Sequence, residues 1–354
     1  MSGPDFSNVV RLSLREWAAI GLCALAFVLA APRLWERNEA FQPGSDYRMP
    51  YDLNNDYWLY DRYSRVAAHT AEWLAIGDSV IWGQYVTREQ TLTHELNELA
   101  DGRRFANLGL EGAHPIALAG LIEHHASGIW NKSVLLQFNP LWLSSPRHDL
   151  SSDEESQFNH PRLVPQFNPW IAPYKEAISA RIGVAVEQRV PFLGWTSHLQ
   201  QAYFDRMDIP TWTLERPTAN LLASLRAGLP PSDNVLHHQP VPWYKGGFSK
   251  QDFPWVAPAK SLQWRFFRKV VEMLQGRGNR VFVLLGPFNE HMLTVESRQR
   301  YHEVRRAVEV ELKAGSVEYY APAVLPSDQY GDASHPLAPG YAALARELLV
   351  HLPL

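Results

Sequence analysis

Five short apolar runs, each leaving through a glycine or a polar residue, constrain this chain more than any other feature. They are 73–77 (WLAIG), 103–110 (RRFANLGL), 132–138 (KSVLLQF), 280–287 (RVFVLLGP) and 316–322 (SVEYYAP). Their length suits buried strands. Segments with apolar residues at helical spacing lie between and after them, at 87–102, 114–128, 261–278, 294–315 and 337–352. Thr87 or Thr91 can cap the first of these and Gly102 can stop it. Pro115 stands in the first turn of the second, and Gly128 ends it. Strands alternating with helices predict a parallel sheet of about five strands, covered on both faces.

Two segments lie outside this alternation. Trp17 to Pro32 (WAAIGLCALAFVLAAP) carries no charge, with Arg15 and Glu16 before it and Arg33 and Arg37 after it. A spanning helix needs ~20 apolar residues, and Leu34 and Trp35 extend the run if Arg33 snorkels. The expected reading is a single-span anchor over 1–35. A cleaved signal is the alternative, from the small-x-small triplet Ala24-Leu25-Ala26, but cleavage there leaves an apolar new terminus. A buried core helix is the third reading, and the absence of a polar face opposes it. Residues 36–70, rich in Tyr, Asp and Asn, read as an irregular connector packed on the body. The second outlier is an insertion at 141–260. It holds more than half of the 26 prolines and nearly half of the 13 tryptophans. Loops of this length are usually functional, and a helix is expected within it over 174–190. Its aromatics suit sugar or acyl-chain contacts, or form the insertion's own core.

Composition excludes some functions. A net charge of -4, with no basic run interleaved with aromatics, gives no support for nucleic-acid binding. One cysteine, Cys23, allows no intrachain disulfide and no cysteine metal site. No cofactor and no metal are expected. His237-His238 lie in the insertion without identifiable ligand partners, and His291 follows the fourth strand.

In an open parallel sheet, functional groups collect at the carboxyl ends of the strands. Here those ends read Gly77-Asp78-Ser79, then Asn107-Leu108-Gly109 with Gly112, then Gln137-Phe138-Asn139-Pro140. The fourth is Gly286 to His291, and the fifth Gly331-Asp332-Ala333-Ser334-His335-Pro336. In this order they resemble the SGNH, or GDSL, hydrolases. GDSVIWG matches that superfamily's nucleophile block, NLGLEG its second block, Asn139 its third and DASH its fifth. The third block departs from the usual Gly-x-Asn-Asp, reading Gln-Phe-Asn-Pro. A looser resemblance, in architecture and in FNPLW, is to membrane-anchored proteins of this fold that act in teichoic acid and polysaccharide O-acylation.

The resemblance implies a flavodoxin-like three-layer α/β/α fold. Residues 71–354 would form the catalytic domain, carrying the insertion 141–260. It further implies a Ser-His-Asp triad. Ser79 is the nucleophile, since a hydroxyl needs an adjacent base, and His335 is that base. Asp332 fixes the imidazole tautomer. The backbone N–H groups of Ser79 and Gly109 and the amide of Asn139 form the oxyanion hole. Asp78 is expected to hold the turn by hydrogen bonds. The function expected is a membrane-anchored, extracytoplasmic serine esterase or O-acyltransferase. Its substrate would be an acylated carbohydrate or other ester, and a multi-span acyltransferase would be its partner. The alternative is a non-catalytic accessory that binds glycan or such a partner.

Overall fold

The first apolar run forms β1 (Trp73–Gly77), buried along its whole length. β2 (Phe105–Gly109), β3 (Ser133–Phe138), β4 (Arg280–Leu285) and β5 (Glu318–Tyr320) complete the sheet. All pairings are parallel, in the order β2-β1-β3-β4-β5. The computed structural model describes residues 12–44, 46–100, 104–152, 158–220, 225, 229 and 234–353. The predicted helix stop at Gly102 and the strand start at Arg103 lie outside these residues.

The two-residue period of the strands sorts their side chains. Leu74, Ile76, Leu108, Leu136 and Val283 share one hydrophobic cluster with α2 (Tyr57–Thr70), α5 (Pro115–His125) and α9 (Leu262–Gly276). Val304, Val308 and Leu312 of α10 (Val295–Ala314) join that cluster. Trp73, Ala75, Leu135 and Leu284 share the opposite cluster with α4 (Leu92–Leu99) and α11 (Ala338–His351). The chain is therefore α/β, with apolar helices against both faces of the sheet. β1 is followed by a strand on one side and then a strand on the other. That reversal opens a crevice at the carboxyl ends of β1 and β3.

Residues 36–70 differ from expectation. The first helix runs through Asn38, and α2 occupies the last fourteen residues of the supposed irregular connector. Asp56 caps α2 by accepting from Leu59 N–H at 3.0 Å, and Leu59, Tyr60, Tyr63 and Ala67 make a buried face. Polar composition concealed this spacing. Tyr60 Oη donates to Leu108 O at 3.0 Å, locking α2 to the sheet. The segment 87–102 also divides, into a short 3-10 turn at Arg88–Gln90 and α4, with Thr91 capping the latter.

The N-terminal helix, α1 (Leu14–Asn38), begins with a Ser13–Glu16 capping box. Its most apolar 18 residues have a mean hydropathy of 1.8, and Pro32 is the one residue of the helix that is buried. By length and composition it is able to cross a membrane. The insertion folds into α6 (Ile178–Glu187), α7 (Pro191–Tyr203) and α8 (Ile209–Glu215) among its described residues. The helix expected over 174–190 is thus shorter. The α7 ring of His198 is buried between Asp56 (Nδ1 to Oδ2, 2.6 Å) and Glu39 (Nε2 to Oε1, 2.9 Å). Arg62 Nη1 donates to Glu39 Oε2 at 2.6 Å. This buried ion cluster joins the end of α1, α2 and the insertion.

Candidate active site

Ser79 opens α3 (Ser79–Trp82), a single turn that begins directly after β1. Asp78 is the cap, accepting from Val80 N–H at 2.9 Å. Gly83 ends the turn with φ +93, and a side chain there would meet Thr91 Cγ2 at 2.7 Å. Left-handed backbone in close quarters requires glycine. Arg48, 1% exposed, braces this end from below. Its Nη1 donates to Gly83 O at 2.8 Å, Val86 O at 3.1 Å and Trp82 O at 3.2 Å.

The fold brings Ser79 and His335, 256 residues apart in sequence, to 2.7 Å between Oγ and Nε2. Asp332 Oδ1 and Oδ2 both lie 2.8 Å from His335 Nδ1. Asp332 Oδ1 also accepts from the N–H groups of Ser334 (2.9 Å) and His335 (3.0 Å). With Nδ1–H held by the carboxylate, Nε2 is the acceptor that faces the serine. Burial disfavours the imidazolium. The Asp332 charge and hydrogen bond, with Asp78 and Glu111 behind them, outweigh burial and raise the His335 pKa. Burial pushes Asp332 up, but His335 and the two backbone donors prevail and bring it down to about 2. Asp332 therefore stays ionised wherever His335 titrates.

Several backbone donors around Ser79 are already engaged. Val80 N–H donates to Asp78, Leu110 N–H to Gly77 O and Glu111 N–H to Asn54. Gly109 N–H donates to Asn107 Oδ1 at 3.0 Å. The Gly109 N–H expected at the oxyanion hole is thus engaged inside the protein. A side chain at Gly109 would stand 2.3 Å from Trp82 N, so the glycine permits close packing of β2 on α3. Among the described residues, Ser79 N–H and Gly112 N–H meet no acceptor. Gly112 lies in the turn after β2 with φ +71.

Asn139 also departs from expectation. Its Nδ2 donates to Asp78 Oδ2 at 2.9 Å and to Ser334 Oγ at 3.1 Å, which uses both amide hydrogens. Trp142 Nε1 is a further donor to Asp78 Oδ2, at 3.1 Å. Gln137, oriented with Nε2 on Asp78 Oδ1 at 3.1 Å, completes the ring. Asp78, 2% exposed, thus holds the third strand end against the first, as expected of a hydrogen-bonding turn residue.

Other residues gather here that strand-end reasoning did not assign. The Tyr85 ring is 5.8 Å from the His335 ring, and burial with the Asp332 charge pushes its hydroxyl up. Asn289 grips the loop that carries Asp332 and His335 twice. Its N–H donates to Ala333 O at 2.8 Å and its Nδ2 to Asp332 O at 2.9 Å. A polar residue after β4 was the available signal for it. His238 lies 5.5 Å from Tyr85, and His237 stacks on Tyr51 at 4.3 Å. No sequence signal places insertion histidines at the site. His291 is committed elsewhere, with Nε2 3.0 Å from Leu325 O. Among the described residues no group of three His, Cys, Asp or Glu side chains is placed to hold a metal ion.

A serine whose hydroxyl meets a carboxylate-oriented imidazole, at the switch point of a parallel sheet, is a constellation suited to acyl transfer. No protein-family model matches the chain, and no curated protein does.

Proposed function

We propose that this protein is an SGNH-type serine esterase or O-acyltransferase of flavodoxin-like α/β/α fold. It is anchored by α1 with its body outside the cytoplasm. Its substrates are acyl esters of a cell-envelope or secreted carbohydrate, and a multi-span acyltransferase is the partner such an enzyme would serve. The observation that carries the reading is the 2.7 Å contact between Ser79 Oγ and His335 Nε2, with Asp332 behind the ring.

In this reading Ser79 Oγ attacks the ester carbonyl while His335 Nε2 takes its proton. The oxyanion develops beside the uncommitted N–H groups of Ser79 and Gly112. The tetrahedral intermediate then expels the alcohol, which receives the proton from His335. An acyl group remains on Ser79. Water, activated by the same imidazole, releases the acid and gives esterase activity. A sugar hydroxyl in its place gives transfer.

A non-catalytic SGNH-like scaffold that binds glycan or a membrane acyltransferase is favoured by one observation, the commitment of both Asn139 amide hydrogens inside the protein. A fluorophosphonate probe separates the two. The folded full chain should be labelled, and Ser79→Ala should not. An unlabelled wild type with an accessible site assigns the scaffold role instead.

A further inference from the structure

α6 has its polarity reversed for a helix in water. Ile178, Ile182 and Val186, spaced four apart on one face, are 70%, 51% and 44% exposed. Arg181 of the same helix is 1% exposed. Its guanidinium donates to the carbonyls of Gln166, Tyr174 and Glu176. Glu187 pairs with Arg162, and Gln188 Nε2 donates to Arg162 O at 2.7 Å. Arg181, Glu187 and Gln188 therefore turn toward the protein, while Ile178, Ile182 and Val186 turn outward. Trp170 is also 65% exposed, and Arg181 lies over its ring. An exposed apolar helix face on a folded body points to a surface that meets an apolar partner.

The contacts of α7 indicate what covers it. Phe192 in the first turn of α7 meets Phe27 of α1, with ring centroids 5.8 Å apart. Trp195 and Tyr203 meet Trp35, at 6.1 and 5.7 Å. Phe27 stands eight residues before Trp35 and so about 12 Å further along the helix axis, at ~1.5 Å per residue. That depth lies inside the uncharged run of α1. α6 enters α7 through residues 188–190 alone, so its apolar face cannot lie far from the same level. Lys175, Glu176 and Arg189 at the ends of α6 are exposed, and such long side chains can reach headgroups.

We infer that α6 is an in-plane membrane element. Ile178, Ile182, Val186 and Trp170 lie against the acyl chains of the leaflet that α1 enters from the body side. The inference rests on the reading of α1 as a membrane span. Its consequence is orientation: one span leaves the body free to swing, whereas a span and an in-plane helix fix which way the Ser79 crevice faces.

The test uses the full chain in phosphatidylcholine–phosphatidylglycerol nanodiscs, in a Cys23→Ser background. Single replacements Leu25→Cys, Ile178→Cys, Ile182→Cys, Val186→Cys and Val310→Cys each carry a nitroxide. All five sites are exposed, so labelling leaves the fold intact. The measurement is collision with oxygen against collision with a water-soluble nickel chelate. The ratio at 178, 182 and 186 should match that at 25 and exceed that at 310 severalfold. Lipid exposure at 25 with water exposure at 178, 182 and 186 would overturn the inference and leave the span reading standing. Water exposure at 25 itself would remove the span reading, and this inference with it. Water exposure of α6 in nanodiscs with protection in native membranes would assign the face to a protein partner and equally overturn it.

Discussion

Replacing Asn139 with alanine separates two roles that cost similar energies in different observables. As an oxyanion donor, Asn139 would act on turnover, and its loss would cost ~100- to 1000-fold with stability unchanged. The geometry assigns it to Asp78 instead, through the 2.9 Å bond from Nδ2 to Oδ2. A hydrogen bond to a charged group is worth about 1.5–3 kcal/mol, and a neutral one about 1 kcal/mol. Asn139 also donates to Ser334 Oγ and accepts from Leu141 N–H at 3.0 Å. Asn139→Ala should therefore lose about 2–4 kcal/mol of stability, with turnover of the surviving folded enzyme falling less than about tenfold. Thermal unfolding of the purified full chain in detergent, beside hydrolysis of a small acetyl ester, measures both. The midpoint should drop by roughly 3–6 °C. Burial raises the Asp78 pKa against these donors. Protonation at low pH thus removes the charge that Asn139 holds, and the stability gap between variant and wild type should narrow as pH falls. A variant as stable as wild type that has lost turnover a hundredfold would refute this reasoning and restore Asn139 to the oxyanion hole.

Further expectations follow from the same geometry. Ester hydrolysis should rise with pH through an ionisation above the ordinary histidine value, because His335 must be neutral to accept a proton and its pKa is raised. Asp332→Asn should move that inflection down, and an unmoved inflection would dissociate it from His335. Gly109→Ala should fail to accumulate as folded protein, since its new Cβ would stand 2.3 Å from the Trp82 nitrogen; a well-folded but inactive variant would return Gly109 to the oxyanion hole. His198→Ala leaves the buried Glu39 and Asp56 carboxylates facing each other with Arg62 alone, a loss of about 3–5 kcal/mol. Burial opposes the His198 charge, but the two carboxylates win and raise its pKa to about 9. Its contribution is thus full below about 6.5 and fades as pH rises through about 9. The fall in wild-type melting temperature over that range should be absent from the variant.

Much of the sheet could be read along the chain. The run WLAIG became β1 with the same limits, and Ser79 and Asn139 could be placed at one end of the sheet because parallel strands share a direction. The α2 helix was missed because Tyr, Asp and Asn composition outweighed the buried spacing of Leu59, Tyr60, Tyr63 and Ala67. Gly109 ends β2 and Gly112 follows it, and spacing could not rank the two. Only the hydrogen bond from Gly109 N–H to Asn107 distinguishes them.

The division between the two kinds of knowledge follows from the range of the forces involved. Apolar runs, caps and glycines act over a few residues, so sequence alone determined the strand and helix alternation, the apolar N-terminal helix and the end of the sheet where polar groups collect. The meeting of Ser79 with His335, the turning of the Asn139 amide onto Asp78 and the outward face of α6 depend on segments far apart in the chain. ISARIGVAVE is apolar around most of its circumference, and no local rule tells which side will face the body. Burial of Arg181 on three carbonyls decided that, and those carbonyls are in place only when the insertion has folded.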